Sequence, residues 1–264
     1  MRIHTLGTAH GDSTWCRFNS STLYETRSGA LYLLDCGAPA EALVRRKGLR
    51  IRDIRALFIT HMHDDHTGGL TGLVKQTLKY PGDSDRPLRL FFPESRAIAP
   101  FRAWMDAMHL NDASPLLLYA AVQDGPVYED DEVAVRAIRT SHLRDKAGNP
   151  VSFAYALHFK KEDLDVLHSG DLRSDFSDFP AQAQEEHFHA CVCEATHYHP
   201  DSALDTLAAC RFDRLIFAHI ANRWHNYPQP GPDFIQGERK LLDSCQDALP
   251  YPVTVAHDGD EFLL

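Results

Sequence analysis

The stretch that decides the fold is Ala56-Leu57-Phe58-Ile59-Thr60-His61-Met62-His63-Asp64-Asp65-His66-Thr67-Gly68-Gly69-Leu70. An apolar, β-like run leads straight into four candidate metal ligands, His61, His63, Asp65 and His66. A glycine pair follows and opens a helical pattern. In an extended chain alternate side chains share a face, so His61 and His63 can address one metal ion. Asp65 and His66 come after the turn and can reach a second, adjacent ion. Imidazole nitrogen with carboxylate oxygen suits Zn²⁺, with Mn²⁺ or Fe²⁺ as alternatives. A loop that merely happens to be rich in histidine has no reason to place HxHxDH between an apolar strand and Gly-Gly.

Outward from this stretch, short β-like runs recur at Arg2–Leu6, Ser21–Glu25, Ala30–Leu34, Arg89–Phe92, Val133–Thr140, Phe153–His158, Asp165–Leu167, His189–Cys193, Leu215–Ala218 and Val253–Ala256. Helical patterns fall between them, at Ala40–Lys47, Leu70–Leu78, Glu94–His109, Ala203–Cys210 and Phe234–Leu249. Many short strands with interspersed helices and no strict βαβ beat predict layered α and β elements rather than a doubly wound sheet. No low-complexity tract, fixed-period repeat or long linker breaks the chain, so residues 1–264 read as a single domain.

The 264 residues include 27 Lys and Arg against 37 Asp and Glu, a formal charge of −10. That balance offers no general attraction to phosphate backbones or anionic lipid. No apolar run approaches the roughly 18 residues of a spanning helix, and the opening stretch lacks the charged-then-apolar build of a secretory signal. A cytoplasmic protein without membrane partners is expected. The six cysteines include no CxxC pair, which argues against a disulfide scaffold. Cys191 and Cys193 fall on one face of a strand and read as packed thiols. Sixteen histidines are the outlier in this composition.

The His61–His66 motif resembles the metal-binding motif of the metallo-β-lactamase superfamily. That resemblance implies an α/β (α+β) fold, a four-layer αββα sandwich with a two-metal site between the sheets. Four further stretches are similar to the family's remaining parts and stand in its order. Leu31–Gly37 resembles its strand ending in Asp-x-Gly, whose acid, here Asp35, holds a ligand imidazole from behind. Thr140-Ser141-His142 resembles the third-histidine motif, and His168-Ser169-Gly170-Asp171 the motif whose carboxylate bridges both metals. Leu215–His219 resembles the last ligand strand. The resemblance therefore implies His61, His63, His142 and Asp171 around one divalent ion. Asp65, His66 and His219, with the shared Asp171, would hold the other. Two adjacent divalent ions, Zn²⁺ foremost, activate water and steady entering and leaving oxygens, so hydrolysis is the implied reaction class.

Finer features resemble the branch that contains the tRNA 3′-processing endonuclease RNase Z and its small phosphodiesterase relatives. Leu6-Gly7-Thr8 followed by Asn19–Leu23 is similar to that branch's first hairpin. Val192–Thr196 is similar to its His-Glu-Ala-Thr motif, with Cys193 in the histidine's place. His219–Trp224 is similar to its final motif and puts Arg223 beside the pocket. In that branch the glutamate, here Glu194, orients a histidine that protonates the leaving oxygen. His199 is the best match for that histidine and His197 its rival, so Asp65, Glu194 and His199 form the candidate catalytic set. An imidazole beside a carboxylate is a sound general acid near neutral pH.

Two departures bear on the substrate. Many tRNA-processing members insert a Gly/Pro-rich basic arm between the third histidine and the bridging aspartate, whereas here His142 and Asp171 are separated by a loop and two short strands. Glu94–Asp131 reads as a helix and a Pro-containing loop that ends in the acidic Glu129-Asp130-Asp131-Glu132, which would repel RNA. The expected substrate is a small molecule, a small phosphodiester or cyclic nucleotide, rather than tRNA. A lactone, ester or thioester hydrolase of the same fold is the alternative, and an RNase Z-like endonuclease a more distant one. A phosphodiester calls for a compensating cation such as Arg223 or Arg173, a lactone for an apolar wall. A homodimer is expected from the family alone.

Overall fold

A computed structural model describes residues 1–12, 14, 16–80, 86–111, 113–222 and 233–264. Among these residues two mixed, seven-stranded sheets face one another. The first places β1 (Arg2–Gly7), β2 (Ser21–Glu25), β3 (Leu31–Leu34), β4 (Ile54–Phe58), β5 (Leu88–Phe92) and β6 (Leu117–Ala121) side by side. With strands numbered along the chain, β16 (Asp260–Leu263) closes the edge beside β1. The second runs β7 (Gly125–Glu129), β8 (Val133–Arg144), β9 (Pro150–Phe159), β10 (Leu164–His168), β12 (Ala190–Ala195), β14 (Leu215–Ile220) and β15 (Val253–Val255). Strands β11 (His187–Phe188) and β13 (Arg211–Phe212) form a separate pair. Helices α1 (Ala40–Arg46), α3 (Leu70–Lys79) and α4 (Ser95–Ala107) belong to the first sheet's half, and α5 (Gln182–Glu185), α6 (Pro200–Ala208) and α7 (Asp233–Gln246) to the second. This is the expected four-layer αββα sandwich.

Side-chain periodicity builds the layers. In β3, Leu31 and Leu33 enter a core shared with Leu43 and Val44 of α1 and Leu73 and Val74 of α3. Tyr32 and Leu34 point the other way, into the core between the sheets, with Phe58, Tyr155 and Phe159. Helix α3 buries Leu70, Leu73, Val74 and Thr77, the i, i+3, i+4, i+7 stripe that one-sided packing requires. On the second sheet Cys191 and Cys193 share the outer core with Leu207 of α6 and Leu241 of α7, as their spacing predicts, while Val192 faces inward. Each sheet is antiparallel on one side and parallel on the other. In the parallel sets β3–β4–β5 and β10–β12–β14 the chain leaving β3, β4 and β10 delivers Asp35, His61 and Asp171, and the last residues of β14 carry His219.

The region after α4, expected to be a loop, contains β6 and β7. Pro126 hides β7 from pattern reading, and it is tolerated because β7 is an edge strand. The acidic run also differs from expectation. Asp130 accepts from the hydroxyls of Tyr32 and Tyr128 at 2.8 Å, from Arg55 at 2.9 Å, and from the N–H groups of Glu132 and Val133. Glu132 is buried and paired with Lys161. The run is thus largely a folded charge cluster, not a free acidic face. It also pairs with Arg55 near the start of β4, whereas the histidine motif follows that strand's end.

Burial opposes the Asp130 charge, yet Arg55 and the surrounding N–H and O–H donors outweigh it and hold the carboxyl down at about 2. A depressed carboxyl stabilises the fold above its unfolded value near 3.9 and loses that contribution as the pH falls through the folded value. Between about pH 4 and pH 2 the melting temperature should therefore drop more steeply in the native chain than in Asp130→Asn. The difference amounts to about 1–2 kcal/mol for this partly open group. Thermal melts of the two proteins across that window check it.

Candidate metal centre

The HxHxDH stretch folds as its pattern predicts. His63 is extended, at φ −65° and ψ 153°, and caps a single helical turn, α2 (Asp64–Thr67), that carries Asp65 and His66. His61 is fully buried, and its Nε2 lies 2.9 Å from His63 Nδ1. His142, from the long strand β8, and Asp171, just past β10, complete a first group whose ligand atoms lie within 4.8 Å of one another. Asp65, His66 and His219 form a second group of the same compactness. Asp171 stands between them. Its Oδ2 is 3.5 Å from His61 Nε2, 3.8 Å from His142 Nε2 and 3.3 Å from His219 Nε2, and its Oδ1 is 3.4 Å from His66 Nε2.

Partners behind the site fix these rings. His66 Nδ1 lies 2.6 Å from Asp35 Oδ2, and the same carboxylate accepts from the Thr60 backbone at 2.8 Å and from its hydroxyl. Thr60 Oγ1 also holds His61 Nδ1 at 3.1 Å, and His142 Nδ1 donates to the Leu172 carbonyl at 3.1 Å. In all three rings the Nδ1 contact leaves Nε2 to face the centre, the arrangement that orients metal-ligating histidines. Backbone geometry contributes as well. Asp35 (φ 58°) and His219 (φ 51°) are left-handed non-glycine residues, strain that the surrounding structure must hold in place. The register of β12 and β14 skips at His219, a bulge that re-aims its side chain. Gly170, also left-handed, lies where a Cβ would meet the Phe153 carbonyl at 2.8 Å and Thr60 Cβ at 2.9 Å.

The electrostatics fit bound cations. Burial, reinforced by the neighbouring His66, pushes His61 well below the ordinary imidazole range, keeping it a neutral donor of electron pairs. Burial opposes the Asp171 charge, but the neighbouring imidazoles, His219 and His66 foremost, hold it well below the carboxylate range. Four buried polar atoms here, His66 Nε2, His142 Nε2, Asp171 Oδ1 and His219 Nδ1, have no hydrogen-bond partner in the protein. Unsatisfied buried polar atoms are rare and costly. Three of these four face the space between the two groups, and the donor set of imidazoles and carboxylates suits Zn²⁺ or a similar divalent ion.

Glu194, at the end of β12, is buried and accepts the N–H groups of Leu172 at 2.6 Å and of Thr196 and His197 at 2.9 Å. Its carboxylate also takes His197 Nδ1 at 2.9 Å. The His197 ring sits 4.5 Å from that of His142, and its Nδ1 is 3.8 Å from Asp171. His199, the first choice from sequence, is not at the site. It caps α6 through the Asp201 N–H, its side chain is 66% exposed, and it lies beside Asp201 rather than Glu194. The sharp turn after Ala195 brings the third residue after the glutamate, not the fifth, back onto the carboxylate. Arg173 is exposed and paired with Asp175. Arg223 lies outside the described residues.

Sequence reading missed Thr60. Thr60 is an ordinary β-branched residue in the motif, and only its three-way hydrogen bonding reveals its role. Described residues of the segment between β1 and β2 also border the centre: a Cβ at Gly11 would lie 3.8 Å from Asp65 Oδ2. Burial pushes the His10 imidazole in this segment below its ordinary value.

A family model described as anti-Pycsar protein Apyc1 matches residues 1–229. The chain belongs to that family. Within the metallo-β-lactamase superfamily the Apyc1-family chain is 32% identical over 164 residues to ribonuclease Z of Brevibacillus brevis, an alignment covering 61% of this chain and 48% of that protein. It spans about half the length of the curated relatives it matches. Human tRNase Z, short form, superposes with a TM-score of 0.72 at 19% identity over 100% of this chain and 99% of that one. The metallo-β-lactamase fold protein YhfI from Bacillus subtilis gives 0.72 at 14% identity, covering 99% and 98%. These two likenesses establish the shared fold. No helix among the described residues is long and apolar enough to cross a membrane.

Proposed function

We propose that the chain is a two-metal hydrolase of small phosphodiesters, with cyclic nucleotides the leading class. The observation that carries this reading is the Asp171 carboxylate. It faces both ligand groups at 3.3–3.8 Å, amid buried nitrogens that the protein itself leaves unsatisfied. Divalent ions held there would polarise a phosphoryl oxygen, lower the pKa of water and offset the charge of an anionic substrate.

The chain's own residues supply the rest. Asp35, Thr60 and the Leu172 carbonyl hold His66, His61 and His142 with Nε2 turned inward. Glu194 accepts from His197 Nδ1, which makes that ring a proton donor through Nε2 rather than a ligand through Nδ1. Burial opposes a charged ring, but the Glu194 hydrogen bond and charge lift His197 to about 9. A proton held beside the ligands is what the leaving alkoxide of a phosphodiester requires. Asp65 belongs to the second ligand group, and His199 takes no part.

Two observations favour a small anion over the alternatives. Strands β8 and β9 are joined by a tight turn in which Asp145 accepts the N–H groups of Ala147 and Asn149 at 2.8 Å, so no arm for tRNA is inserted there. Met62, the apolar residue within the ligand motif, packs against the helix-side core, and the side chains hydrogen-bonded around the ligand groups, Thr60, Ser169, Glu194 and His197, are polar. That is a poor wall for a lactone. The test is a panel on metal-loaded protein: bis(p-nitrophenyl) phosphate, 3′,5′- and 2′,3′-cyclic nucleotides, a homoserine lactone and a precursor tRNA. Turnover of the phosphodiester and of at least one cyclic nucleotide should exceed that of the lactone and the tRNA by at least about tenfold in kcat/KM, a difference of about 1.4 kcal/mol. Dominant lactone or tRNA cleavage would overturn the assignment.

A further inference from the structure

We propose that Arg17 is a positioning residue for the second ligand group, Asp65, His66 and His219, acting through the β1–β2 connection. The inference rests on the two-metal reading above. Described residues of that connection border the segments that carry His219, Asp65 and the Asp35 behind His66. The Thr8 carbonyl accepts the Ile220 N–H at 2.7 Å, one residue past His219, and Ala9 bridges both Ile220 and Asn19. The Asn19 N–H donates to the Ala38 carbonyl at 3.3 Å. At Gly37 a Cβ would meet the Asp65 carbonyl at 2.2 Å and the Asn19 backbone at 2.6 Å, so the segments carrying Asn19, Asp35 and Asp65 pack backbone against backbone. The separation of Asp65 Oδ2 from His219 Nε2, 3.8 Å, therefore depends on where this connection sits.

Arg17 is the buried cation that fixes it. The residue is only 3% exposed. Its guanidinium donates to Thr8 Oγ1, to Glu238 on α7, and at 2.6 Å to the Ala256 carbonyl just past β15. Glu238 in turn holds His257 Nε2 at 2.8 Å. Asp258 accepts the Thr8 N–H at 2.8 Å and its hydroxyl at 2.6 Å, and also the Phe18 N–H. A guanidinium this deep is tolerable only with its acceptors in place, and its planar fork bonds several at fixed angles. One side chain thus locks the connection to the last helix and the last strands, and through Thr8 to the residue after His219. Lysine would keep the charge but not the fork.

The test is chelator competition on Arg17→Lys and on Arg17→Met/Glu238→Gln, which removes both buried charges, with circular dichroism to establish folding. In each variant one metal equivalent should keep its wild-type affinity, while the other, the one that Asp65→Asn also weakens, weakens about tenfold or more, as loss of an orienting partner does. A purely structural role would lower the melting temperature and leave both affinities alone. Wild-type affinity for both equivalents, equal weakening of both, or failure of both variants to fold would overturn the proposal. Wild-type protein that itself takes up fewer than two equivalents would instead sink the two-metal reading on which it rests.

Discussion

In Asp171→Asn both metal equivalents are expected to weaken together, by about a hundredfold or more each, and hydrolysis to fall to background. Loss of a residue that merely orients a ligand costs about 10–100-fold in metal affinity. Asp171 faces four imidazoles of two groups, so its loss should cost at least as much at each. The amide is nearly isosteric but neutral and offers one acceptor where the carboxylate offers two. The comparison with a one-group variant is what makes the result specific. Asp65→Asn should weaken one equivalent and spare the other, because Asp65 is grouped with His66 and His219, at 3.3 and 3.8 Å. Competition with a chromogenic chelator, followed by activity at saturating metal, reads both effects. Independent behaviour of the two equivalents in Asp171→Asn would contradict a shared carboxylate.

The second large effect is expected at Glu194 and His197. Removing a positioned general acid costs about 10²–10⁴ in rate when the leaving group needs a proton. Glu194→Gln and His197→Ala should therefore slow a cyclic nucleotide, whose leaving group is a sugar alkoxide, by that range. Cleavage of bis(p-nitrophenyl) phosphate, whose leaving group is a stabilised phenolate, should change by less than about fivefold. Metal content should stay at its wild-type level, since His197 offers Nδ1 to Glu194 rather than to a metal. His199→Ala serves as the control and should leave both rates unchanged, because that ring caps α6 at the surface. Equal losses on the two substrates would remove the proton-donor role from His197. A loss in His199→Ala that matched the His197 variant would restore the sequence-based choice.

Much of the fold, and the clustering of the candidate ligands, was legible in the sequence, for a physical reason. Side chains that converge between two sheets come from strand ends and first helical turns, so the candidate ligands His61, His63, Asp65, His66, His142, Asp171 and His219 stand at recognisable breaks in apolar runs. What was not legible depends on the third dimension. His197 and His199 are both histidines shortly after Glu194, and only the backbone turn after Ala195 decides which returns to the carboxylate. The strands β6 and β7 escaped because an edge strand can carry Pro126 and because Leu117–Ala121 has too little alternation to separate it from a loop. The acidic run at 129–132 looked like an RNA-repelling surface because charge read along a sequence ignores pairing. Arg55, Lys160 and Lys161 come from other strands and turns and absorb most of it. Arg17 carried no signal at all, as a lone arginine in a polar segment gives no hint that it will be buried among acceptors from the far end of the chain.

The central claim is that two divalent ions share Asp171, and the most direct measurement is metal stoichiometry. Protein purified without chelator, loaded with Zn²⁺ and dialysed exhaustively, is analysed by inductively coupled plasma mass spectrometry against amino-acid analysis. About two ions per chain in the native protein, falling well below one in Asp171→Asn, is the predicted result. At most one ion per native chain after saturation, or an unchanged count in Asp171→Asn, would contradict it.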